Sequence, residues 1–186
     1  MGLYQYLRNI YKQPKESLKS IWQQRLIEWR RTNSIVRIEK PTRLDRAHAL
    51  GYKAKKGYIV VRIRLNRGGR KRLSTKQGRK TKQQRRRKIL EKSYQWVAEE
   101  RVNRKYKNCE IIGSYFVAKD GKHYWFEVIL LDRNYADQYN VSQGHKGKSF
   151  RGLTASGKRS RGILTNKGKG AEKLRPSLRA HRRRGK

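Results

Sequence analysis

The sequence predicts an α+β fold, a sheet covered by helices, on three observations. Apolar residues recur at helical spacing in residues 1–31 and 89–105, they alternate with period two across residues 58–65, and two strand-like runs meet at a short turn near residue 120.

Leu3, Leu7 and Ile10, with Tyr4 and Tyr11, mark a first short helix. Beyond Pro14, the residues Leu18, Ile21, Trp22, Leu26 and Trp29 share one helical face, so residues 1–31 read as a helical pair. Residues 34–39 suit a strand. Thr42 and Asp45 form a capping-box-like start to a brief helix that stops at Gly51. In the next strand Ile59, Val61, Ile63 and Leu65 lie on one face, while Arg62 and Arg64 lie on the other beside Tyr58 and Val60. One face is expected to pack and the other to present charge. Leu90, Tyr94, Val97, Ala98 and Val102 place a helix over residues 89–105. Strands over 110–119 and 122–132 then form a hairpin through Asp120-Gly121, a turn of the class that requires positive φ. Helices laid over a sheet with this antiparallel pair are the economical way to bury these faces.

Charge divides the chain further. It has 186 residues, 51 Lys plus Arg against 13 Asp plus Glu, and a net charge of +38. Residues 46–90 hold 18 bases and no acid, residues 91–137 hold 8 of each, and residues 138–186 hold 15 bases with Glu172 as their one acid. The organisation expected is a helical pair (1–31), an α+β core (32–137) with a basic insertion (67–88), and a basic C-terminal extension (138–186). Residues 67–88 and 142–186 contain isolated aliphatics, too sparse to offset the entropy of ordering, and are expected to order on a partner. The longest clean aliphatic run, Val128 to Leu131, is far short of the roughly 20 residues of a membrane span. With no signal-peptide pattern at Met1 to Tyr6, an intracellular location is expected. Cys109 is the one cysteine, and the four histidines are too scattered for a zinc motif, so neither disulfide nor cofactor is expected.

Motifs of enzymes fail on context. Ser142–Ser149 and Gly152–Arg159 approach the phosphate-cradling P-loop, but the first has Ser142 for its leading glycine, the second has Arg159 for its hydroxyl, and neither follows a buried strand. Glu99 and Glu100 project about 100° apart on a helix, and Glu100 has Arg104 at i+4, so an ion pair on the surface is expected rather than a catalytic pair. Cys109 is expected to pack at a strand edge. Trp22 and Trp29 read as core, whereas Trp96 lies off the Tyr94/Val97/Ala98 stripe and is the aromatic candidate for an RNA or protein contact.

The bases themselves carry the signal. Solvated charged faces normally mix acids with bases, and residues 46–90 have no acid, so the expected partner is a nucleic acid. A DNA-coating or architectural protein is the alternative, and it would be expected to offer a groove-reading helix or a dimer seam.

At six linked blocks the chain resembles a known family. Thr42-Arg43-Leu44-Asp45, Leu50-Gly51-Tyr52-Lys53-Ala54-Lys55, Arg67-Gly68-Gly69-Arg70, Val97-Ala98-Glu99-Glu100-Arg101, Phe126-Glu127-Val128-Ile129-Leu130 and Arg151-Gly152-Leu153-Thr154 are similar to the e-type ribosomal protein fifteen of the archaeal and eukaryotic large subunit. The stretch from Asn166 to Lys173 is similar to the archaeal branch. The resemblance implies a structural, non-enzymatic protein with a three-layer α/β/α domain, a four-stranded antiparallel sheet and extensions that thread into ribosomal RNA. It implies large-subunit ribosomal RNA and neighbouring large-subunit ribosomal proteins as partners, with no membrane, small-molecule substrate or self-oligomer. The candidate RNA-binding residues before the insertion are Arg43, Arg46, Lys53, Lys55, Lys56, Arg62 and Arg64. In and after the insertion they are Arg67, Gly68, Gly69, Arg70, Lys71, Arg72, Arg79, Lys80, Lys82 and Trp96. The extension adds His145, Lys146, Lys148, Arg151, Lys158, Arg159, Arg161, Lys167, Lys169, Arg175 and Arg179.

Overall fold

A computed structural model describes residues 2–71, 78, 87–88, 90–136, 139 and 146–164. The helical pair takes the form of α1 (Leu3–Ile10) and α3 (Lys19–Arg31), with a single turn, α2 (Pro14–Ser17), between them. β1 (Ile35–Ile38) and α4 (Leu44–Ala49) lead to the long strand β2 (Tyr58–Asn66). A two-residue ladder, β3 (Arg70–Lys71) with β4 (Arg87–Lys88), brackets the basic insertion. Then come α5 (Tyr94–Lys105), the hairpin β5 (Cys109–Lys119) and β6 (His123–Asp132), and α6 (Ala155–Ser160).

The main sheet is four-stranded and antiparallel, in the order β1-β2-β6-β5. Both of its faces are covered, because both sets of alternating side chains on β2 and β6 contain apolar residues. Val60, Trp125 and Ile129 face one side and pack with Trp22 and Trp29 of α3, Ala47 of α4 and Tyr115. Val61, Ile63, Leu65, Phe126, Val128 and Leu130 face the other and pack with Ala98 and Val102 of α5. Burying a large apolar side chain contributes about 1.5–3 kcal/mol, so these two layers are the main stabilising term.

Several local expectations change. Thr42 does not cap α4; its hydroxyl and its N–H both donate to Glu127, at 2.5 and 3.0 Å, and Asp45 instead receives the Arg43 guanidinium at 3.1 Å. Helix α5 starts only at Tyr94, where Ser93 Oγ accepts the Trp96 N–H, so Leu90 lies outside it and is exposed. The hairpin turn centres on Gly121-Lys122 and uses no positive φ; the Asp120 carboxylate accepts the N–H groups of Lys122 and His123. Burial opposes charge on Asp120, but these N–H groups, Arg30 and the His123 ring outweigh it and hold its pKa at about 2. Cys109 is buried at the start of edge strand β5, where burial raises its thiol pKa.

The largest change concerns residues 146–164, which fold against α5. Gly157 lies so close to Gly152 that an added Cβ would stand 2.7 Å from the Gly152 Cα. Gly152 itself has φ +65°, and a Cβ there would meet Trp96 and Arg161 at 2.9 Å. The glycines of the second P-loop-like stretch therefore serve backbone packing.

Candidate nucleic-acid interface

Three exposed groups of cations emerge from this fold. Arg46 on α4 and Lys53, Lys55 and Lys56 on the loop before β2 form the first. The second is Arg67 alone, beside the exposed Gly68 and Gly69 at the root of the β3–β4 ladder: it stacks 5.1 Å from the Tyr124 ring and donates to the Asp120 carbonyl at 2.8 Å. The Tyr94 hydroxyl holds both the N–H and the carbonyl of Gly68, so that root is fixed to α5. The third group is on the folded C-terminal segment, where Lys146 and Arg159 are exposed and Lys148, Arg151 and Lys158 half-exposed.

Other candidates are occupied inside the protein. Arg62 and Arg64 do not present charge outward, because α3 covers their strand face. The Arg62 guanidinium stacks 4.5 Å from the Trp29 ring opposite Glu127 on β6, and burial lowers its pKa. Arg64 donates to the carbonyl oxygens of Trp29 and Arg30 at the end of α3. Trp96, expected to meet a partner, is 1% exposed and donates from Nε1 to the Ser149 carbonyl at 2.7 Å. Its departure from the sheet-facing stripe is real, but the C-terminal segment covers that second face. Arg161 is buried and donates to the Gly152 carbonyl at 3.0 Å, and Arg43 is half-buried 5.0 Å from the Tyr11 ring. Arg70 and Lys71 form β3. Arg72, Arg79, Lys80, Lys82, His145, Lys167, Lys169, Arg175 and Arg179 lie outside the described residues.

The acids explain why the surface is so little compensated. Asp45, Glu99, Glu100, Glu110 and Glu127 are all buried. Glu99 accepts hydrogen bonds from Ser114 Oγ at 2.5 Å, Thr154 Oγ1 at 2.5 Å and Ser156 Oγ at 2.6 Å, so it is a structural carboxylate and not half of a catalytic pair. Burial raises its pKa, and the three hydroxyls oppose that by favouring the charged form. Glu100 does pair with Arg104, at 3.6 Å, but it is buried and closer to Lys92, at 2.7 Å. Glu127 accepts from Tyr115 at 2.5 Å as well as from Thr42, and burial raises the pKa of both Glu127 and Tyr115. A carboxylate in the middle of the apolar run Tyr124 to Leu131 is the one sequence sign of this arrangement. Glu99 gives no such sign, since its partners lie up to 57 residues away. Glu99 and Glu127 face hydroxyls, whereas Asp45, Glu100 and Glu110 take up Arg43, Lys92, Arg104 and Arg133. The exposed bases between residues 46 and 71 have no acid in their own stretch of chain, which is the electrostatic form of a polyanion-binding surface.

A sequence profile of the family described as Ribosomal L15 matches residues 2–181. The chain belongs to this family. Its relatives include the protein named large ribosomal subunit protein eL15 in Nanoarchaeum equitans, 48% identical over 97% of this chain and 98% of that protein. Proteins of the same name in Methanospirillum hungatei and Methanocella arvoryzae are each 46% identical, over 100% and 98% of this chain and 98% and 97% of theirs. For a member of the Ribosomal L15 family, buried acids under a cationic exterior have a direct use: Glu99 and Glu127 are satisfied by hydroxyls and a main-chain N–H and draw on none of the exposed lysines before β2.

Proposed function

We propose that the protein is a structural constituent of the large ribosomal subunit, acting in the cytoplasm, that binds large-subunit ribosomal RNA by neutralising phosphates. It would hold RNA segments against one another and against neighbouring large-subunit proteins. The observation that carries this reading is the end-to-end match to relatives named as large-subunit proteins, joined to the exposed cations Arg46, Lys53, Lys55 and Lys56 in a stretch, residues 46–90, that holds no acid. It requires no catalytic step, and binding rather than chemistry is what the chain's residues supply.

The test is sedimentation of tagged protein in lysate from its own cells on a sucrose gradient, repeated at rising salt. Co-migration with the large subunit that persists at high salt is expected. Migration at the top of the gradient, or with DNA, would overturn the reading. Isolated protein on duplex RNA should lose affinity steeply with salt, by about 0.9 in log–log slope per phosphate neutralised.

A further inference from the structure

Phe150 is 42% exposed in the middle of a cationic surface, on a loop that the fold holds still. The Gly147 N–H donates to Glu110 Oε2 at 3.0 Å, and Glu110 is itself clamped by Arg133 at 2.6 Å. Ser149, immediately before Phe150, is buried between Asn103, which donates to its hydroxyl at 2.8 Å, and Trp96, which donates to its carbonyl. After it, the Leu153 N–H returns to the Lys148 carbonyl at 3.0 Å. The backbone is therefore fixed on both sides of a ring that carries Arg104 over one face and remains partly open to solvent.

The surroundings select the occupant. Arg104 stands 5.8 Å from the ring centroid, Lys146 is exposed, and Lys148 and Arg151 are half-exposed. Lys148 is held below its ordinary pKa by burial and then by the charges of Lys158 and Arg151, with Glu99 opposing weakly. Arg104 is paired with Glu100 and Arg151 donates to the Lys146 carbonyl at 2.8 Å, so the ammonium groups of Lys146 and Lys148 are the cations here suited to an outside anion. The neighbours of Phe150 in the chain, Ser149 and Arg151, are polar, and Arg104 lies over the ring, so the surroundings shown are cationic rather than apolar. A duplex hides its base faces, whereas an unpaired nucleotide offers a π-face with a phosphate on either side.

We propose that Phe150 is a stacking platform for an unpaired RNA nucleotide whose flanking phosphates are taken by Lys146 and Lys148. The assignment rests on the RNA-binding reading above and adds to it a single-strand site at a named residue. Because the loop is already fixed, little ordering accompanies binding.

The test uses full-length protein with Phe150→Ala, Phe150→Leu and Phe150→Tyr, against two probes. One is a single-stranded oligoadenylate carrying 2-aminopurine, whose fluorescence reports stacking; the other is a blunt RNA duplex of equal charge. Phe150→Ala and Phe150→Leu should weaken oligoadenylate binding about 5- to 150-fold, the equivalent of about 1–3 kcal/mol for one stacked base, and abolish the fluorescence change. Phe150→Tyr should retain both. Duplex affinity and salt slope should not move in any variant. Unchanged oligoadenylate affinity in Phe150→Ala, full retention by Phe150→Leu, or equal losses on both probes would overturn the platform while leaving RNA binding intact. Failure of the unsubstituted protein to bind either probe in a salt-dependent way would overturn the RNA-binding reading itself.

Discussion

Replacing Thr154 by Val and Ser156 by Ala together should destabilise the whole domain, although both residues lie in a segment with few aliphatic side chains. The two hydroxyls donate to the same carboxylate oxygen of Glu99, which is 1% exposed, and near-isosteric replacements leave that oxygen buried without them. A hydrogen bond to a charged group contributes about 1.5–3 kcal/mol, so two give an upper bound of about 3–6 kcal/mol. Thr154 also caps α6 by accepting the Gly157 N–H, worth about another 1 kcal/mol. Against this, Ser114 still donates to the other oxygen, and the carboxyl can take up a proton instead of remaining as an under-solvated anion. A net loss of about 3 kcal/mol at neutral pH is expected, which for a domain of this size lowers the melting temperature by about 10 °C.

The pH dependence follows from the same carboxylate. Its pKa in the folded protein is raised by burial, with the adjacent Glu100 adding to the effect and the nearby Lys148 on the facing segment attracting the anion. A carboxyl that holds its proton more tightly when folded contributes stability below its unfolded pKa and loses it as pH rises through the folded value. Removing two donors that favour the anion raises the folded pKa further, so the deficit of the double variant should grow from pH 5 to pH 7. Glu99→Gln, which keeps a carbonyl acceptor and never ionises, should show a flatter pH profile than the unsubstituted protein. Thermal unfolding by circular dichroism at both pH values, in enough salt to screen the surface charge, reads these effects. A double variant that melts with the unsubstituted protein at pH 7 would refute the argument, because Glu99 could not then be enclosed by residues 146–164.

Three further outcomes follow. Arg62→Ala should cost about 2 kcal/mol in thermal or urea unfolding, the size of a desolvated cation–π contact, and leave the salt slope of RNA binding unchanged, because its guanidinium lies on Trp29 under α3. Lys53→Ala, Lys55→Ala and Lys56→Ala combined should do the reverse, lowering the slope by up to about 2.7 at about 0.9 per contact without moving the melting temperature. Gly157→Ala should lower stability by about 1–3 kcal/mol in the same unfolding assay, since its Cβ would press on the Gly152 backbone.

The sheet and its helices were legible because burial on both faces writes a repeated apolar pattern into β2, α3 and α5. Polar contacts between distant residues write none. Thr42 reads locally as a cap, yet it bonds Glu127, 85 residues on. The segment 146–164 reads as an extension because aliphatic counting misses its means of packing, which are glycine-on-glycine backbone contact and hydroxyls on a buried carboxylate.

The same limit applies to charge, and it determines what the +38 measures. Each base on β2 looks, by alternation alone, like an outward cation. The fold divides them by chemistry instead. Arg43, Arg62, Arg64 and Arg161 lie partly or wholly inside, on aromatic rings or main-chain carbonyls, where a weakly hydrated planar guanidinium can stack and donate. The first exposed group is three lysines and one arginine, Lys53, Lys55, Lys56 and Arg46, and the strongly hydrated lysine ammonium is costly to bury. The buried acids are matched by hydroxyls, N–H groups and the cations Arg43, Lys92, Arg104 and Arg133, so they do not draw on those exposed lysines. Net charge therefore overstates the phosphates this domain can neutralise. Internal arginines add to the total but not to the counterions released, and a measured salt slope should follow the exposed set alone.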